Sequence, residues 1–169
     1  MKLGIANQQF PLSLFSYPLS LFYLTLGGEI SNIALSTRGR QMIIGIGIDL
    51  VECDRFLDWS PFKKSRIFTK IELEYADKSS SGAERHLANF WAVREAFVKA
   101  IGTGFGEGIE FSDISVDHDD NGRPQVIVAG GAKKALKGIC ENANIHVSIT
   151  DQGDYSAAVV IVESDKVIE

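Results

Sequence analysis

Cysteine is scarce in this chain. Only Cys53 and Cys140 occur in 169 residues. Neither lies in a CxxC or beside a histidine, so a zinc site is not indicated, and two thiols make no disulfide framework. Both read as reduced packing residues of a cytosolic protein. Positive charge is also short, with 17 Lys and Arg against 22 Asp and Glu and a net charge of −5. The chain as a whole is therefore not a basic nucleic-acid binder, and any anionic partner must meet a local basic patch. No internal repeat is evident. What is present, 45% hydrophobic and 23% charged residues, is the balance of a folded soluble domain rather than a disordered one. The length suits one domain.

One apolar run stands out, residues 10–27 (FPLSLFSYPLSLFYLTLG). It barely reaches the roughly 17–25 residues of a bilayer-spanning helix. Pro11 and Pro18 interrupt it, only Lys2 is basic before it, and no small-x-small cleavage site follows cleanly. Met42 is the only methionine after Met1 and stands just ahead of the first convincing strand. Residues 1–41 are read as an extension outside the enzyme fold, a misassigned translation start being preferred to a signal-like or amphipathic segment. Residues 42–169 form the domain, with no membrane span.

From Met42 the sequence IIGIGIDLVE alternates, Ile44, Ile46, Ile48 and Leu50 on one face, Gly45, Gly47 and Asp49 on the other. Short helical turns are expected over 52–68. Thr69 and Glu72 form a capping box for a helix to about Lys78. The segment 79–82 (SSSG) is a loop. Over 83–101, Leu87, Phe90, Trp91, Phe97, Val98 and Ile101 recur at helical spacing, and Gly102 is placed to stop the helix. Strands follow at 112–118 and 124–129 around an Asn121-Gly122 turn, a helix at 131–142, and strands at 144–150 and 155–162 joined at Gln152-Gly153. This order predicts an α+β fold, a single small domain in which an antiparallel sheet packs with one long helix and shorter helices.

The candidate chemistry is carboxylate and phosphate chemistry. Asp49 ends a strand that is otherwise apolar or glycine, and a carboxylate there needs a partner. Taken alone it reads as a cap on the following turn. Glu95 lies on the long helix and, taken alone, reads as a helix pair with Lys99. Beyond it, Gly102-Thr103-Gly104 with Gly106 and Gly108 supplies backbone N–H groups able to approach phosphates. Mg²⁺ is held by one or two carboxylates plus waters and phosphate oxygens, so Asp49 and Glu95 together make a sensible metal pair. His146 and Ser148 point to the polar side of their strand, away from Ile145, Val147 and Ile149. As a lone strand histidine His146 is more often structural than catalytic, though it suits phosphate contact or proton transfer. Residues 55–70 carry Arg55, Lys63, Lys64, Arg66 and Lys70 beside Asp58, a local basic excess suited to an acidic partner or simply to a solvated helix face.

From Met42 to about Glu163 the chain resembles the holo-acyl-carrier-protein synthases, the small 4′-phosphopantetheinyl transferases. The likeness is carried by GIGIDLVECDRF, FWAVREAFVKAIGTGFGEGI and HVSITDQGDYSAAVVIVES, with FTKIELEYA and FSDISVDHDDNGRP in support. The resemblance implies transfer of 4′-phosphopantetheine from coenzyme A to a serine of apo-acyl-carrier protein, releasing 3′,5′-ADP, in fatty-acid synthesis. It implies Mg²⁺ on Asp49 and Glu95, and coenzyme A on Lys99, Gly102, Thr103 and Gly104. Arg55 is implied to face the carrier protein. A cytoplasmic homotrimer with sites between subunits is implied as well. The base for the serine hydroxyl stays open between Glu95, a metal-bound water and His146. Two positions depart from the family pattern, Arg94 where Lys is common and Asp151 where a final His is common. The rival readings are an inactive scaffold that binds carrier protein or coenzyme A, against which Asp49, Glu95 and Lys99 argue, and a transferase for peptide or polyketide carriers, whose usual doubled length is absent.

Overall fold

The structure, a computed structural model, describes residues 42–78, 82–106 and 108–164. The readings of 1–41 and of Ser79 to Ser81 lie outside the described residues. The elements are β1 (Met42–Glu52), a 3₁₀ turn (Cys53–Phe56), α1 (Pro61–Ser65), α2 (Lys70–Asp77), α3 (Ala83–Ala100), a second 3₁₀ turn (Phe111–Asp113), β2 (Ile114–His118), β3 (Pro124–Val128), α4 (Gly130–Ile139), β4 (Ala143–Gln152) and β5 (Tyr155–Ser164). The strands form two antiparallel sheets, one in the order β1-β5-β4 and one pairing β2 with β3. The expected α+β class holds, with two sheets where one was expected.

Helix α3 is the centre of the core. Its stripe of Leu87, Phe90, Trp91, Phe97 and Val98 is buried, as are Ala92, Ala96 and Ala100. Those alanines lie at four-residue spacing on one face, and this face receives β1. The sequence alternation of β1 is real, but its packing is the reverse of the usual one. The glycine face lies on α3, while Ile46, Ile48 and Leu50 are exposed at 60%, 66% and 65%. The cause is the closeness of helix to strand. A Cβ on Gly45 would overlap the carbonyl oxygen of Ala100, and one on Gly47 would overlap that of Ala96. Only glycine permits that approach.

The remaining elements follow local chemistry. Thr69 and Glu72 form the capping box of α2, with Thr69 N–H donating to Glu72 Oε2 at 2.8 Å. Gly102, at φ 75°, ends α3 with its N–H on the Lys99 carbonyl at 3.1 Å. Asp113 accepts from Gly131 N–H at 2.9 Å and so satisfies the start of α4. Two expected bounds move for the same kind of reason. Residues 111–113 turn into a 3₁₀ segment before β2, and α4 ends at Ile139 because Cys140 is extended at φ −151°.

The β1–α3 contact generates a prediction. Gly47→Val forces backbone apart and is expected to lower stability by about 3 kcal/mol or more, read from the midpoint of urea unfolding. A variant that unfolds at the wild-type midpoint disproves the close approach.

Candidate functional site

The approach of β1 to α3 brings three charged side chains together. Asp49 lies on the glycine face, so its carboxylate emerges over the last turns of α3. Lys99 Nζ donates to Asp49 Oδ1 at 2.7 Å and to the carbonyl of Ile48 at 3.1 Å. Glu95 sits one turn before Lys99 and close enough to feel Asp49, Lys99 and Arg55. The helix pair Glu95–Lys99 read from spacing is thus replaced by a contact between strand and helix, because Asp49 offers the lysine a nearer oxygen.

Electrostatics set this cluster apart from a surface ion pair. Burial, reinforced by the negative charge of Asp49, pushes the Glu95 carboxyl above the ordinary glutamate range, while Lys99 and Arg55 pull it back. Lys99 supplies positive charge to both carboxylates. Among the described residues no cluster of three or more His, Cys, Asp or Glu forms. Asp49 and Glu95 are the two carboxylates that could hold a hard divalent ion, with water or substrate oxygens completing it.

The glycine-rich segment starts three residues after Lys99, at Gly102. The N–H groups of Thr103 and Gly104 both turn back to the Val98 carbonyl, at 3.2 and 3.3 Å. Gly102 and Gly104 take positive φ, 75° and 62°, with open space where a Cβ would stand. Thr103 Oγ1 is buried and without a hydrogen-bond partner among the described residues. A buried hydroxyl of that kind is costly unless a ligand or water completes it.

Arg55 lies on the neighbouring side, its guanidinium over the Trp91 ring at 4.4 Å. Trp91 meets Trp59 edge-on, and Lys63 Nζ stands 3.7 Å over Trp59. Lys63 and Arg66 line a cavity of about 590 Å³ with Phe62, Ile67, Ile109, Glu110 and Phe111. Of the basic excess read in 55–70, Arg55 and Lys63 stand over aromatic rings, while Lys70 is solvated and pairs with Glu74 at 3.5 Å.

His146 is placed elsewhere. It pairs across β5 with Ile161, which in turn faces Ile46 of β1, so the ring stands on the outer face of the sheet. Its Nε2 lies 3.0 Å from Glu163 Oε2. Asp49 belongs to the opposite face, and within one protomer the structure does not bring the two together. Asp151 meets Arg85 Nη1 at 2.6 Å. It borders a second cavity of about 190 Å³, where Tyr75 stacks on His118 at 4.4 Å and meets His86 edge-on at 5.2 Å. No periodicity announces that cluster, since its rings come from three separate elements. Burial lowers the proton affinity of both histidines.

Residues 45–160 match the family model of the 4′-phosphopantetheinyl transferase superfamily. The chain belongs to that family. It is 47% identical over 124 residues to the holo-(acyl-carrier-protein) synthase of Treponema denticola, covering 72% of this chain and 99% of that protein. It is 39% identical to the corresponding synthase of Anaplasma phagocytophilum, covering 73% of this chain and 100% of the other. The solved holo-(acyl-carrier-protein) synthase of Bacillus anthracis, in complex with CoA (3′,5′-ADP), superposes with a TM-score of 0.60 at 34% identity, covering 73% of this chain and 98% of that one.

The Glu95 environment yields a sign-checked prediction. A carboxyl whose folded pKa is raised costs stability once pH passes above its unfolded value, with the loss complete above the folded one. Metal-free Glu95→Gln is therefore expected to melt higher than wild type near pH 7, with the gain fading as pH falls from the raised folded value toward the ordinary glutamate range. Melting curves at a series of pH values test this, and equal midpoints throughout would remove the strain from Glu95.

Proposed function

We infer that the chain transfers 4′-phosphopantetheine from coenzyme A to a serine of apo-acyl-carrier protein and releases 3′,5′-ADP. The observation that carries this reading is the meeting of Asp49, Glu95 and Lys99 at the mouth of the Gly102–Gly104 segment, in a chain of the matching family. Mg²⁺ belongs to the reading as the ion held by Asp49 and Glu95. When bound it would neutralise diphosphate charge as that charge shifts toward the leaving group.

The chain's own residues account for the rest. Lys99, Gly102, Thr103 and Gly104 receive the diphosphate of coenzyme A, the ammonium as a point charge and the loop through the Thr103 hydroxyl and the open space beside Gly102 and Gly104. The serine oxygen bonds to the β-phosphorus, and the bond from that phosphorus to the bridging oxygen breaks, leaving 3′,5′-ADP. The serine proton goes to a base. Glu95 is the better placed group within one protomer, since it lies in the cluster with Asp49 and Lys99 while His146 is held by Glu163 on the far face. The cluster of Asp49, Glu95 and Lys99 also favours an active enzyme over an inactive scaffold.

The carrier is read at the basic side. Arg55, Lys63 and Arg66 stand around aromatic rings and an apolar cavity, a surface suited to an acidic helix with a few apolar residues. A homotrimer is read from the outer sheet face. Ile46, Ile48 and Leu50 of β1, flanked by Val159 and Ile161 of β5, make an apolar patch that a monomer would leave to water. Subunits packing there would bring His146 into the interface. Fatty-acid synthesis in the cytoplasm is the setting this reaction implies. The enzyme is read as residues 42–169, with 1–41 outside its fold, because about three-quarters of the chain spans nearly the whole of its relatives.

Incubating the protein with apo-carrier, coenzyme A and Mg²⁺ should add a phosphopantetheine mass to the carrier. No adduct from folded protein sinks the enzyme reading. Glu95→Ala and Asp49→Ala should each lose about 100-fold or more of the Mg²⁺-dependent rate, and full activity would refute the metal pair. Arg55→Glu should raise KM for the carrier and leave KM for coenzyme A unchanged; the opposite pattern moves the docking face elsewhere. Ile48→Asp should dissociate the trimer in sedimentation runs, and an intact trimer would clear the outer face of that role.

A further inference from the structure

Arg94 precedes Glu95 on α3, and its side chain leaves the helix about 100° away from it, into the core. The guanidinium and its partner Glu72 are both fully buried, at 0% exposure. Every nitrogen of the fork is engaged. Nη1 and Nη2 donate to Glu72 Oε1 and Oε2 at 2.8 and 2.6 Å, Nη1 also to the Phe90 carbonyl at 3.0 Å, and Nε to the Phe111 carbonyl at 3.0 Å. Glu72 accepts in addition from Val116 N–H at 2.9 Å and from Thr69 N–H at 2.8 Å. Burying two charges costs desolvation that a pair of apolar side chains would avoid. Stability alone does not call for this arrangement, so its geometry is the part that needs a use.

We propose that the Glu72–Arg94 pair is a positioning device for the glycine-rich segment at the active site, acting through the Phe111 carbonyl that Arg94 Nε holds and the Phe111 ring stacked on Phe105. The Phe111 and Phe105 rings lie 3.9 Å apart at an interplanar angle of 20°. Phe105 sits between Gly104 and Gly106, in a stretch whose glycines give it little stiffness of its own. The backbone of Phe111 is therefore the fixed point from which that stretch is set. Among the described residues Phe105 has no other ring contact; Trp91, which carries Arg55, also stacks on Phe111 at 4.9 Å but is braced besides by Phe56 and Trp59. The pair thus governs the coenzyme A side of the site and leaves the carrier side to other supports. A lysine at position 94 brings one charge but no planar fork, and cannot reach Glu72, Phe90 and Phe111 together.

The inference rests on the reading of Gly102–Gly104 as the coenzyme A contact, and the test separates the two. Glu72→Leu/Arg94→Met replaces the charges with apolar side chains of similar bulk; it also strips the Thr69 and Val116 N–H groups of their acceptor, so its Tm is expected below wild type and its kinetics are read where circular dichroism shows it folded. Its KM for coenzyme A should rise about tenfold while KM for the carrier stays level, a split that a merely structural role does not produce. Arg94→Lys should show the same split to a smaller degree. Phe105→Ala should raise KM for coenzyme A in the wild-type background and add little in the apolar-pair background. A folded apolar-pair variant with wild-type KM for coenzyme A overturns the positioning role while Phe105→Ala still has its effect. If Phe105→Ala itself leaves that KM unchanged, the reading of the segment as the coenzyme A contact falls, and the inference with it. Full additivity of the two changes overturns the route through Phe105.

Discussion

The contact between two glycines of β1 and the carbonyls of α3 is the constraint from which the site follows. Gly45 and Gly47 let the strand lie against Ala96 and Ala100 with no side chain between backbones. That leaves Asp49, two residues on, within reach of the Lys99 side chain, and makes a strand carboxylate and a helix ammonium partners at 2.7 Å. The same contact turns Ile46, Ile48 and Leu50 outward. One packing decision thus sets both the polar cluster and the apolar face, and neither can be altered without the other.

A second, deeper constraint is ionic. The Glu72–Arg94 fork ties α2, α3, the 3₁₀ turn at 111–113 and β2 into one unit. It lies beside Glu95 in sequence but on another face of α3. The helix therefore presents a structural charge inward and functional charges toward β1, and its stripe of large apolar residues separates the two. The departure from the family pattern at Arg94 belongs to the inward system rather than to the site itself.

Much of this was legible in the sequence where local physics decides. The capping box at Thr69 and Glu72, the apolar stripe of α3, the glycine stop at 102 and both hairpin turns all rest on interactions within a few residues, and they appear as expected. Asp49, Glu95, Lys99 and the glycine segment were picked out by motif, and the structure gathers them. What local pattern did not disclose is partnership at long range. Glu72 was legible as a cap and not as the counterion of Arg94, because nothing in a helix period says which distant side chain will meet it. The outward turn of Ile46, Ile48 and Leu50 was hidden for a similar reason. Alternation gives two faces, and only the closeness of α3 decides which one is covered. The aromatic–imidazole cavity of Tyr75, His86 and His118 is likewise assembled from three separated segments.

The hydrogen bond from Lys99 to Asp49 has a consequence for how a cation would be taken up. The aspartate is already neutralised by an ammonium, so occupancy is an exchange of one positive group for another rather than the filling of an empty charge. Affinity then measures the difference between two contacts, which keeps an adventitious ion from being held too firmly. The ammonium has a second acceptor, the Ile48 carbonyl at 3.1 Å, on which it stays when the aspartate is taken. On the proposed reading of Asp49 as a metal ligand and Lys99 as a phosphate contact, cation uptake and release of the lysine would be two sides of one equilibrium.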